Sequence, residues 1–103
     1  MKSTTITEFV KFMALETTSD EQLLSKADLN VNGFHKKQDG FIDAELVKDV
    51  EENSWCFIFH YESLEQIMAV GEKLRKSKEF GEFIPLIVPQ SISATFYYQL
   101  KKW

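Results

Sequence analysis

The sequence has a single cysteine, Cys56, and only two histidines, two prolines and four glycines in 103 residues. One cysteine excludes an internal disulfide framework and any multi-cysteine zinc site, and it suits a reducing compartment. His35 and His60 lie too far apart for metal-ligand spacings such as i,i+4 on a helix, so no metal is expected. Gly33, Gly40, Gly71 and Gly81 are scattered, which supports neither a phosphate loop nor a dinucleotide fingerprint, and no G-x-S-x-G occurs. Cations are outnumbered too: 12 Lys and Arg against 16 Asp and Glu leave a net charge of −4. A nucleic-acid partner, held mainly by cationic contacts to phosphate, is therefore not expected. No apolar run approaches the roughly 20 residues of a membrane span, and Met1-Lys2-Ser3-Thr4-Thr5 leads into no signal-peptide core. A cytoplasmic protein without membrane association is expected.

What is present describes one ordinary globular domain over residues 1–103, 44% hydrophobic and 27% charged. A chain this short buries about two-thirds of its unfolded surface, enough for one core. Ile6 to Leu15 reads as a strand, with Ile6, Val10, Phe12 and Ala14 on one side and Phe9, Lys11, Met13 and Leu15 on the other. Thr18 with Glu21 reads as a capping box opening a helix whose stripe is Leu23, Ala27, Val31 and Phe34, weakened near its end by Asn30, Asn32 and Gly33. Gln38-Asp39-Gly40 predicts a turn with positive φ at Gly40. Phe41 to Val50 alternates as a second strand, Ile42, Ala44, Leu46 and Val50 on one face. Residues 51–54 then turn into Trp55 to Tyr61, a nearly continuous apolar strand of the kind that lies centrally. Ser63 with Gln66 reads as a second capping box, opening a helix with Leu64, Ile67, Met68, Gly71 and Leu74 inward. Gly71 is tolerable there if the helix approaches the sheet closely. Ser77 starts a short helix, and Ser91 to Leu100 is the last strand.

The order β-α-β-β-α-(short α)-β is the ferredoxin-like arrangement, an α+β fold with a four-stranded antiparallel sheet and its long helices on one side. Nothing in the chain is left to cover the opposite side. Yet Trp55, Phe57, Phe59 and Tyr61 occupy one face of the third strand and Cys56, Ile58 and His60 the other, and the first and last strands are bulky on both faces. Burying each large apolar side chain is worth about 1.5–3 kcal/mol. A second copy of the chain is the expected cover, so the partner expected is the protein itself as a homodimer.

Gly40-Phe41-Ile42-Asp43-Ala44-Glu45-Leu46-Val47-Lys48, Trp55 to Tyr61 continuing into Glu62-Ser63-Leu64-Glu65, and Ser77-Lys78-Glu79-Phe80 resemble the antibiotic biosynthesis monooxygenase-like proteins of the dimeric α/β barrel superfamily. The resemblance runs from about Ile6 to Leu100 and rests on scaffold features, a turn glycine and a helix cap, which speak for fold. It implies a homodimeric barrel with a small-molecule pocket and no cofactor. Some members oxygenate electron-rich aromatic substrates without a cofactor, some degrade haem, and many have no assigned activity. The haem-degrading branch uses an Asn on the first strand, a Trp on the second helix and a following His. The corresponding residues here are Lys11, Leu74 and Ile84, so haem degradation is not expected.

Two functions stay open at this stage: a cofactor-independent monooxygenase of an aromatic substrate, or a non-catalytic ligand-binding or structural dimer. His60 and Tyr61 are the candidate catalytic residues. His60 is a general base at a pocket rim, or else a strand-end histidine bonded to a neighbour. Lys11, Trp55 and Tyr98 are the candidate substrate-binding residues, with Tyr61 and Tyr97 as further aromatic lining or core filler. Glu8 and Lys11 are charges on a central strand, costly unless paired or facing a polar cavity. The resemblance turns Lys11 toward the barrel interior; an ion pair with Asp43 or Glu45 is the other reading. His35, in His35-Lys36-Lys37, reads as a solvated loop residue. Cys56 reads as a small buried hydrophobe, since no cationic setting for a thiolate is evident.

Overall fold

Alternating side chains and well-placed caps set the elements. In the computed structural model, which describes residues 4–103, these are β1 (Ile6–Met13), α1 (Asp20–Gly33), β2 (Phe41–Lys48), β3 (Ser54–Tyr61), α2 (Leu64–Leu74), α3 (Lys78–Phe83) and β4 (Ser93–Tyr98). The strands form one antiparallel sheet in the order β2-β3-β1-β4, with all three helices on one face. This is the ferredoxin-like α+β arrangement expected from the order of elements. No helix among the described residues is long and apolar enough to cross a membrane.

Local chemistry explains most boundaries. α1 is capped by Ser19, one residue later than the expected Thr18. The Ser19 hydroxyl accepts from Gln22 N–H at 3.1 Å, and Gln22 Oε1 accepts from Ser19 N–H at 2.9 Å, a complete capping box. Thr18 instead donates its hydroxyl to the Leu86 carbonyl at 2.9 Å. Asn30 does not break α1. Its buried amide donates to the carbonyls of Lys26 (3.1 Å) and Glu79 (3.2 Å) and so ties α1 to α3. Ser63 and Ser77 cap α2 and α3, but the expected Ser63–Gln66 capping box forms only by half, since Gln66 Oε1 accepts from the Ser63 hydroxyl at 2.9 Å and not from its backbone N–H. Gly40 turns into β2 with φ at +90°, a backbone conformation that favours glycine, and the Gln66 side-chain end lies where a Cβ would go.

Two expectations about β2 need correction. The strand ends at Lys48, because Asp49 accepts the backbone N–H groups of Glu51 and Glu52 at 2.9 and 2.8 Å and folds the hairpin there, leaving Val50 exposed. Ile42 leaves the inward row because a bulge between Phe41 and Asp43 shifts the register, and its side chain is exposed. β1 likewise stops at Met13, with Ala14 in an isolated bridge to Ile87, and β4 is shorter at both ends than the Ser91 to Leu100 run predicts.

The core lies between the sheet and the helices. Ile6 and Phe12 of β1, Trp55, Phe57, Phe59 and Tyr61 of β3, Leu23 of α1, Ile67 of α2 and Phe83 of α3 are buried there. Phe12 packs edge-on to Phe83 at 5.3 Å between ring centroids. No helix among the described residues covers the far face of the sheet. Register places Phe9 beside Ile58 and Thr95, Lys11 beside Cys56, and His60 between Thr7 and Asp43 on that face, with Met13, Val47 and Tyr97. Met13, Val47 and Tyr97 are exposed.

Candidate functional site

Even-numbered residues of β1 face the helices, which puts one acid among apolar neighbours. Glu8 stands between Phe59 of β3 and Phe96 of β4 in register, in the row of Ile6, Val10 and Phe12. It opens onto a cavity of about 720 Å³ between the sheet and α2 and α3. Val10, Phe57, Phe59, Ala94 and Phe96 form the cavity floor with Glu8. Ile67, Val70, Gly71 and Leu74 of α2 form its roof, with Phe80 and Phe83 of α3 beside them. Glu72 and Arg75, both exposed, line its outer edge. The size is that of a pocket for a drug-sized or polycyclic molecule, and a mostly apolar wall with few polar groups is how such sites are built.

The polar groups of the cavity are few and their ionisation is shaped by burial. Glu8 has no hydrogen-bond or ion-pair partner among the described residues, and desolvation pushes its carboxyl from 4.5 up to about 7. His35 is almost completely buried in a 3-10 turn after α1, its ring stacked on Phe59 at 4.2 Å and edge-on to Phe34 at 5.3 Å. Burial pulls it from 6.5 down to about 4, so it is a neutral imidazole at pH 7. Its Nδ1 shares a 2.8 Å hydrogen bond with the Tyr61 hydroxyl. Burial raises the Tyr61 phenol, and the nearby Glu8 charge raises it further, so Tyr61 keeps its proton. An apolar chamber with one carboxyl half-ionised near neutral pH can take a proton from a bound molecule and give it back.

The residues expected to act are distributed differently. His60 and Tyr61 are neighbours on β3 and so face opposite sides of the sheet. His60 is on the helix-free face, its Nδ1 2.6 Å from Asp43 Oδ1, the neighbour-bonded alternative. Tyr61 is completely buried on the helix side, behind His35 and away from the cavity lining. Lys11 projects exposed from the helix-free face, with no ion pair to Asp43 or Glu45. Trp55 is core, its Nε1 donating to Asn53 Oδ1 at 3.0 Å and its ring under the Lys48 ammonium, and it does not line the cavity. Tyr98 is exposed at the end of β4, beyond the cavity floor. Tyr97 packs edge-on to Phe9 on the far face. Cys56 is only partly buried, on the helix-free face beside Lys11, and not the buried residue expected; desolvation raises its thiol against the opposing pull of Lys11.

The solvated-loop reading of His35 is overturned. The adjacent Lys36 and Lys37 suggest solvent, whereas Phe34, Phe59 and Tyr61 together bury the ring. Glu8 carried a readable signal, an acid on the apolar row of a central strand. No group of three or more His, Cys, Asp or Glu among the described residues is arranged to hold a metal ion.

No family model matches the sequence, and no curated protein matches it. Solved structures do match the fold. The cofactor-independent oxygenase SnoaB from Streptomyces nogalater is 12% identical with a TM-score of 0.72, covering 96% of each chain. A protein of Nitrosomonas europaea proposed to be an antibiotic biosynthesis monooxygenase is 8% identical with a TM-score of 0.72, covering 97% of this chain and 94% of that one. A conserved protein of Methanosarcina mazei is 13% identical with a TM-score of 0.72, covering 94% of each. The chain thus has the ferredoxin-like fold found in these proteins.

Proposed function

We propose that the protein binds a flat, electron-rich hydroxyaromatic molecule in the cavity beneath α2 and oxygenates it without a cofactor, with Glu8 as the base. The observation that carries this reading is Glu8 itself, a lone carboxyl on the floor of a large apolar chamber. SnoaB, with the same fold, is a cofactor-independent oxygenase, which supports the reaction class. With no cofactor, the electrons that reduce dioxygen come from the substrate, so the substrate must be easily oxidised once deprotonated. Glu8 takes the acidic proton of a bound quinol-like ring. The resulting carbanion or phenolate adds dioxygen, one oxygen stays on the ring carbon as a carbonyl, and the other leaves as water with the two hydrogens the substrate gives up. Atoms and electrons balance without an outside reductant. Neutral His35, held by Tyr61, borders the same chamber and adds no positive charge to it.

Oxygen uptake with a panel of quinols and polyphenols tests this. Wild-type turnover should rise as pH passes through about 7, where Glu8 ionises, and Glu8→Gln should lower it by about 10²–10⁴-fold, the usual worth of a positioned base. Unchanged turnover in Glu8→Gln removes Glu8 from the mechanism. Binding of such ligands with no oxygen uptake by the wild type supports the non-catalytic ligand-binding reading instead.

The working unit in this proposal is a homodimer in the cytoplasm, the second copy covering the helix-free face, where Phe9, Met13, Val47, Ile58 and Tyr97 lie interspersed with Lys11, Glu45 and His60. Exposed apolar side chains on such a face gain from a self-complementary cover. Size-exclusion chromatography with light scattering should give twice the mass of the chain, and a monomer at micromolar concentration would falsify the dimer.

A further inference from the structure

A glycine inside a helix weakens it, because its backbone gives up more freedom than alanine's and contributes no packing. Gly71 sits within α2 four residues after Ile67 and three before Leu74, so it shares the stripe that faces the sheet. Close approach of helix and sheet is the expected reason for a glycine there. The structure removes that reason: a Cβ added at Gly71 would have no neighbouring atom within 4 Å. Gly81 has the same freedom, but it lies exposed on α3, where the open space is solvent. The open space at Gly71 belongs to the cavity, whose floor includes Ala94 and Phe96.

We propose that Gly71 is the place where a bound ring system lies against the backbone of α2, and that its missing side chain sets how wide a molecule the cavity accepts. The inference rests on the reading of this cavity as the ligand site. The ligand it implies is a fused or multi-ring aromatic, uncharged where it meets α2, since Ile67 and Leu74 flank the glycine.

The experiment pairs thermal melts with fluorescence titration of N-phenyl-1-naphthylamine, a neutral multi-ring probe, on the wild type, Gly71→Ala and Gly71→Leu. Gly71→Ala should melt about 4–8 °C higher, because alanine is the better helix former and nothing obstructs it. The same variant should bind the probe on the order of threefold more weakly, and Gly71→Leu on the order of tenfold or more, as the added carbons take the ring's place. Stability and affinity thus move in opposite directions, whereas a residue with only a structural role would move them together. Equal affinity in all three proteins overturns the inference, as does a lower melting temperature for Gly71→Ala or a wild type that takes up no probe. The two proposals fail separately. Probe binding indifferent to Gly71 with oxygen uptake still dependent on Glu8 sinks only this one. Probe binding that follows Gly71 without any oxygen uptake sinks only the oxygenase.

Discussion

On β3, Trp55, Phe57, Phe59 and Tyr61 are buried beneath the helices, while Cys56, Ile58 and His60 between them are only partly covered. β1 repeats the contrast, with Phe12 buried and its neighbour Met13 exposed. The two faces are made from alternate residues of the same strands, and they differ in what they lack. The roofed face has an aromatic core at the β2-β3 side and an unfilled chamber toward β4, where α2 and α3 roof Ala94 and Phe96 without filling the space between. No helix among the described residues roofs the far face. One sheet can therefore hold a small molecule on one side and another copy of itself on the other without either function using the same side chain. A slip of one residue in register would exchange the two sets completely.

Truncation at adjacent positions gives the largest test of that division. Phe12→Ala should cost about 3–5 kcal/mol in denaturant unfolding, the usual cost of a cavity left by a deeply buried aromatic ring. Met13→Ala, one residue along, should cost about 0.5 kcal/mol or less in the dissociated protein, since half its surface is already wet. Similar costs at both positions would mean that the far face is sealed within one copy.

Protonation separates the faces next, because both strongly shifted groups of the cavity lie on the roofed side. Glu8 holds its proton in the folded state until about pH 7 and loses it near 4.5 when unfolded. The folded state thus binds the extra proton between those values, and stability falls as pH rises through that window. His35 behaves oppositely: its folded value near 4 lies below the unfolded 6.5, so stability falls as pH drops through that range. Where the windows overlap the slopes offset each other, and the wild type should look nearly indifferent to pH. Glu8→Gln unmasks the histidine. It should stabilise the protein by about 2–3 kcal/mol at pH 8, confer nothing below pH 4.5, and leave a stability that climbs with pH up to about 6.5. A variant no more stable than the wild type at pH 8 would mean that Glu8 is ionised at little cost and the chamber is wetter than its walls suggest.

How much of this was legible in the sequence differs between the two faces as well. The fold follows from turn, cap and alternation signals that are local: Gly40, Ser63 and Ser77 all do what their positions predict. The misplaced α1 cap, Thr18 for Ser19, is a choice between adjacent hydroxyls that only the Leu86 contact decides. For the site, alternation already implies that His60 and Tyr61 cannot share a pocket, and that Glu8 lies in the row of Ile6 and Val10. The burial of His35 carried no such local mark. It depends on Phe59 and Tyr61 of β3, distant in sequence, and the following lysines point the other way. The empty space beside Gly71 was equally hidden, because a helical glycine predicts close packing and open room with the same letter.

The smallest expected effect is also the one that decides which face does chemistry. His60 bonds Asp43 at 2.6 Å, but the Asp43 side chain is more than half exposed, and such pairs are worth about 0–1 kcal/mol. His60→Phe should therefore change unfolding stability by less than about 1 kcal/mol, and it should leave oxygen uptake as it was, since the imidazole lies across the sheet from the chamber. Tyr61→Phe, at the very next position, should cost about 1–3 kcal/mol because it leaves the buried His35 Nδ1 without its partner. A histidine and a tyrosine joined by one peptide bond would then report on two separate surfaces. If His60→Phe abolished uptake while Glu8→Gln did not, the reaction would belong to the helix-free face, and the second copy of the chain would have to supply its walls.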